Sequence, residues 1–129
     1  AKDSLKKMKN HKKSPACCAV VALHYVSGIE EETVLRTCLL HGFIEGSGME
    51  DYEWQAAADD LGIKIRHVSI EPQRLKVLLK NHAYGLYLLG TRDHLFALDN
   101  GVIIDPREKL SGRYPGLGRI VRQAWKVLK

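Results

Sequence analysis

The chain has 129 residues, 45% apolar and 27% charged, with a formal net charge of +5. That length fits one domain around one core and leaves no room for a second catalytic module. No apolar run approaches the roughly 18 residues of a membrane span, so no transmembrane helix is expected.

The positive charge is unevenly spread. Residues 1–13 hold Lys2, Lys6, Lys7, Lys9, Lys12 and Lys13 against Asp3, the middle of the chain is net acidic, and residues 107–129 are net basic again. Basic ends of this kind read as solubilising tails, or as contacts for nucleic acid or another polyanion. With only Leu5 and Met8 apolar, residues 1–13 read as a flexible or loosely docked arm ahead of a single domain over 14–129. No apolar core follows the first lysines, so no secretory signal is read. The three cysteines, Cys17, Cys18 and Cys38, are odd in number and two are adjacent. Reduced thiols in a cytoplasmic compartment are therefore expected.

In chain order, Ser14 and Pro15 make a helix start and Gly28 a stop around a nearly all-apolar segment, a buried helix with both adjacent thiols in its first turn. A second helix is expected from about Glu30 to His41, with Val34, Leu35, Cys38, Leu39 and Leu40 as its inner stripe. Ser47 with Glu50 spells a capping box for a third helix ending at Gly62. Ile63 to Ile70 alternates as a strand, and Glu71-Pro72 opens a short helix from Gln73 to Lys80. Tyr84 to Gly90 reads as a buried strand. His94 to Leu98 and Val102 to Pro106 flank Asp99-Asn100-Gly101 as a hairpin, Asn-Gly being the strongest short hairpin signal. Residues 109–118 read as loop, and the last dozen as a short helix or a closing strand. Helices first and antiparallel strands second give an α+β order.

Thiol catalysis requires a thiolate, and a helix N-terminus and a nearby imidazolium both favour it. Cys17 and Cys18 occupy such a helix start. The base comes from the hairpin. A two-residue type I′ turn at Asn100-Gly101 pairs Asp99 with Val102, Leu98 with Ile103 and Phe96 with Asp105, which sets His94 and Asp105 diagonally on one face, about 7–8 Å apart at the backbone. A three-residue loop would turn Asp105 to the other face.

This arrangement resembles the papain-like cysteine peptidases, and within them the small bacteriocin-processing (double-glycine leader) peptidase domain. The segments that carry the likeness are Cys18-Ala19-Val20-Val21-Ala22-Leu23, Ala57-Ala58-Asp59-Asp60-Leu61-Gly62, His94-Leu95-Phe96-Ala97-Leu98, Asp105-Pro106 and Trp125, over roughly residues 14–128. Small stand-alone phage-type relatives, with Asp-Cys at the helix start, look closer still. The resemblance implies a papain-like α+β fold with N-terminal helices packed on a C-terminal antiparallel sheet. It implies Cys18 as nucleophile, His94 as base and Asp105 as the group that orients the ring, in a bacterial or phage-infected cytoplasm. Cys17 stands where the relatives have Asp and is the alternative nucleophile. The family's oxyanion Gln falls at Lys12 here, and no Gln precedes Gln55; Asn10 is the substitute donor, with His11 and the Cys18 backbone amide as further options.

The expected function is cleavage of peptide or isopeptide bonds in a protein or peptide substrate. Acyl transfer and deamidation use the same triad. The alternative is a catalytically silent domain of this fold that binds protein or nucleic acid through its basic ends, with Arg113, Arg119, Arg122 and Lys126, interleaved with Tyr114 and Trp125, as the C-terminal set. Cys38 and His41 with His24 and Cys17 or Cys18 have metal-like types, but Cys38 fits the apolar stripe of its helix. Neither metal nor cofactor is expected.

Overall fold

The computed structural model describes residues 18–44, 48–82, 84–92, 94–105 and 118–128. Helix α1 spans Cys18–Ser27 and buries Ala19, Val20, Ala22, Leu23 and Val26 along one broad face, while Tyr25 is 40% exposed, so the helix is not buried all round as its composition predicts. Ser27 closes it: its hydroxyl donates to the Leu23 carbonyl at 2.7 Å and accepts the Ile29 amide at 3.0 Å.

Helix α2 (Glu31–Leu40) buries Val34 and Cys38, one turn apart. Leu39 and Leu40 do not belong to its inner stripe, since they are 52% and 81% exposed. Each residue after Cys38 rotates a further 100°, which carries both side chains off the buried face.

Helix α3 (Asp51–Asp60) carries a capping box at Glu50 and Glu53, three residues later than the Ser47–Glu50 box read from sequence. Ser47 lies outside the described residues. Glu50 has the extended backbone of an N-cap, and its amide donates to Glu53 Oε1 at 2.8 Å. Gly42 makes room for this, because a Cβ there would occupy the position of the Glu53 carboxylate.

The strands are β1 (Lys64–Val68), β2 (Gln73–Arg74), β3 (Leu86–Gly90), β4 (Leu95–Asp99), β5 (Val102–Ile104), β6 (Ile120–Val121) and β7 (Gln123–Leu128). Helix α4 (Leu75–Asn81) starts two residues later than expected. Gln73 and Arg74 instead pair with Val121 and Ile120, a partner supplied from far along the chain. The C-terminal residues are strand. β7 inserts between β1 and β3, giving a five-stranded antiparallel sheet of order β1-β7-β3-β4-β5, beside the β2-β6 pair.

Alternation sorts the sheet into two faces. Leu88, Leu95, Ala97, Trp125 and Val127 join α1, α2 and α3 in one core, where Trp54 and Trp125 meet edge-on with centroids 4.7 Å apart. Tyr87, Leu89, Phe96, Leu98, Ile103 and Ala124 join Leu75 and Leu78 of α4 in the other. The molecule is thus α+β, with three helices ahead of the first strand of an antiparallel sheet. Among the described residues, no helix is long and apolar enough to cross a membrane.

Helix α1 runs along β4. The Tyr25 hydroxyl donates to Asp99 Oδ2 at 2.8 Å, tying the end of the helix to the end of the strand. The start of the helix, Cys18, therefore lies toward the start of β4, where His94 stands.

Candidate active site

Asn100 and Gly101 have φ of +48° and +83°, the positive pair that a two-residue type I′ turn requires. The register follows as expected, with Asp99 opposite Val102, Leu98 opposite Ile103 and Ala97 opposite Ile104. Beyond the last pair the chain brings His94 and Asp105 together on the Phe96 and Ile103 face: His94 Nε2 lies 2.8 Å from Asp105 Oδ1. An ionised carboxylate only accepts, so Nε2 carries the proton.

Asp105 is 2% exposed, and burial alone favours its neutral form. Two donors reverse that. His94 holds one oxygen, and Arg119 Nη1 donates to the other, Oδ2, at 2.6 Å, so the carboxyl is pulled below its ordinary value. The Arg119 guanidinium also lies over the Phe96 ring, 4.0 Å from its centroid, while the His94 imidazole stacks on the same ring at 5.9 Å. Burial likewise opposes charge on His94, whose side chain is 8% exposed. The Asp105 hydrogen bond and charge, with the Cys18 sulfur close by, outweigh it and raise the imidazole to about 9. At neutral pH the ring is an imidazolium held by a carboxylate.

The Cys18 thiol lies beside this imidazole, and the two line the same cleft. With Nε2 committed to Asp105, Nδ1 is the nitrogen left for the sulfur. Cys18 is the first described residue of α1. It is partly exposed and opens onto a cleft of about 560 Å³ that also touches Trp54, His94 and Arg122. Cys38 differs in every respect: fully buried in α2, with burial pushing its thiol up to about 12. The structure therefore brings together Cys18, His94 and Asp105. Cys17, Asn10 and the arm over residues 1–13 lie outside the described residues.

Of the basic C-terminal set, Arg119 turns inward to Asp105, and Trp125 is buried against Trp54. Arg113 and Tyr114 lie outside the described residues. Arg119 is also the site residue that sequence reasoning missed, for a physical reason: its partner is brought to it by the β2-β6 pairing, where the Leu75 amide donates to the Arg119 carbonyl at 2.8 Å. Among the described residues, no three His, Cys, Asp or Glu side chains converge as metal ligands.

The chain matches no protein-family model and no curated protein.

Proposed function

We propose that this chain is a papain-like thiol hydrolase that cleaves peptide or isopeptide bonds. The observation that carries this reading is the continuous Cys18–His94–Asp105 chain of contacts at the mouth of a cleft. Each member has the environment its role needs. Asp105 is dry, ionised and doubly held, so it orients the ring and stabilises the imidazolium without taking its proton. His94 is a protonated imidazole beside sulfur, ready to act as general acid after attack.

The reaction balances as follows. With the thiol proton transferred to His94, Cys18 Sγ forms a bond to the carbonyl carbon, and the carbonyl electron pair moves onto oxygen. Collapse breaks the C–N bond, and the leaving amine takes the proton from His94. Water then adds to the thioester while His94 accepts its proton, and the thiolate leaves. The products are a carboxylic acid and an amine. The backbone amides at the described start of α1 are donors for the developing oxyanion, with Asn10 as the side-chain donor named from sequence.

The reading is tested by peptide turnover and thiol labelling together. Cys18→Ala is expected to abolish turnover of a peptide library while leaving the fold intact, and Cys17→Ala to retain it. A mild alkylating agent is expected to modify Cys18 faster than free cysteine at pH 6. Labelling no faster than a free thiol, or turnover that survives Cys18→Ala, defeats the proposal and leaves a binding domain.

A further inference from the structure

The cleft in front of Cys18 has unlike walls. On one side stand Glu50 and Asp51 at the start of α3, and on the other Arg92 and Arg122 at the sheet end. The acidic pair already has structural work. Asp51 Oδ1 accepts the Trp54 indole N–H at 3.0 Å, and the Glu50 side chain accepts a first-turn amide in the capping box. Both lie where the helix terminus offsets negative charge.

The arginines have no such engagement. Arg92 lies in the turn between β3 and β4, two residues before His94, and Arg122 lies between β6 and β7. The pairing of Gly90 with Gln123 puts Arg122 next to that turn, and the Arg122 amide donates to the Gly90 carbonyl at 2.8 Å. Both side chains are exposed, and among the described residues neither makes an ion pair. Two like charges on adjacent strand ends disfavour one another unless an anion lies between them. Both border the space that a group bonded to Cys18 would enter.

We propose that Arg92 and Arg122 form an anion subsite of this cleft, and that the acyl donor is a peptide carrying a carboxylate side chain close to the scissile bond. This rests on the thiol hydrolase reading for its substrate class, while the anion subsite itself does not require turnover. A carboxylate is drawn to the sheet wall and repelled from the α3 wall, so the bipolar cleft also fixes which way the peptide lies. Planar guanidinium groups suit a carboxylate better than a lysine pair would, through parallel N–H donors.

The test compares alkylation of Cys18 by iodoacetate and by iodoacetamide, which differ in charge and little in size. The ratio of the two rate constants cancels any change in thiolate population. In Arg92→Gln/Arg122→Gln the iodoacetate-to-iodoacetamide ratio is expected to fall about tenfold at low ionic strength, and added salt should lower the unaltered protein's ratio toward the variant's. An unchanged ratio overturns the subsite. A second arm uses peptide fluoromethyl ketones with Glu or Gln at each of the four positions before the reactive carbon. A Glu preference of about fivefold or more at one position, lost in the double variant, supports the peptide class; a falling iodoacetate ratio without any such preference overturns it. Slow iodoacetamide labelling at pH 6 counts against the hydrolase reading alone, because the ratio measured at pH 9, where an ordinary accessible thiol ionises, still decides the subsite.

Discussion

Arg119 donates to the same Asp105 carboxylate that holds His94, at 2.6 Å on the oxygen His94 leaves free. One buried anion thus sits between two cations that both lie against the Phe96 ring. Removing the guanidinium leaves Asp105 Oδ2 buried without that donor. Arg119→Met is therefore expected to cost about 1–3 kcal/mol of stability, measured by urea unfolding, because the buried carboxylate loses one of its donors while His94 remains. Arg119→Lys keeps the charge, loses the planar fork and should cost less.

Stability should fall on the alkaline side through His94. Its folded value is raised from 6.5 to about 9. Below about pH 6.5 the unfolded chain is protonated there too, so the contribution is complete. Between 6.5 and 9 the unfolded imidazole gives up its proton while the folded one keeps it, and stability drops by about 3 kcal/mol across that window. Asp105 works in the opposite direction: held below its ordinary 3.8, its contribution is present above that value and is lost as the pH falls through the lower folded one. Proton NMR of the His94 ring should show the high midpoint, and Asp105→Asn should lower it, since burial remains while the carboxylate is gone.

Labelling should separate the two described thiols. Cys38 is fully buried with its thiol pushed up to about 12, whereas Cys18 is partly exposed beside an imidazolium. Mass spectrometry after brief iodoacetamide treatment at pH 7 should find Cys18 modified and Cys38 unmodified until denaturant is added. Modification of Cys38 at a comparable rate in the folded protein contradicts its burial.

The turn that aligns the site should tolerate little. Asn100 has φ +48° and its side-chain oxygen accepts the Gly85 amide at 2.8 Å. Asn100→Ala loses both the left-handed tolerance and this acceptor, for about 1–2 kcal/mol. Gly101→Val puts a β-branched residue at φ +83°, at about 1–3 kcal/mol. Thermal melts check both, and the alkylation rate of Cys18 should fall wherever the His94–Asp105 pairing slips.

Asn10 is tested through rate. If it donates to the oxyanion, Asn10→Ala should remove about 2.7–4 kcal/mol of transition-state stabilisation with little change in melting temperature. Deleting residues 1–13 should do at least as much. Intact turnover after that deletion leaves the backbone amides of α1 as the donors.

What the sequence determined by itself was local. The Asn100-Gly101 dipeptide sets its own backbone, and with it the register that puts His94 and Asp105 on one face, because turn type depends on the two residues that make it. The buried face of α1 and the Val34–Cys38 stripe follow from spacing in the same way. The departures in the sheet are non-local. Gln73 and Arg74 leave the expected helix because Ile120 and Val121 pair with them, and β7 enters the middle of the sheet because Trp125 finds Trp54 and His67 there. Arg119 becomes part of the Asp105 site, and Arg92 and Arg122 become neighbours, only when strands distant in sequence lie side by side. Hydrophobic period and turn chemistry say which face a residue takes on its own element. Which charged side chain then meets it from another element is decided by tertiary packing, where a buried carboxylate must find every donor it can reach.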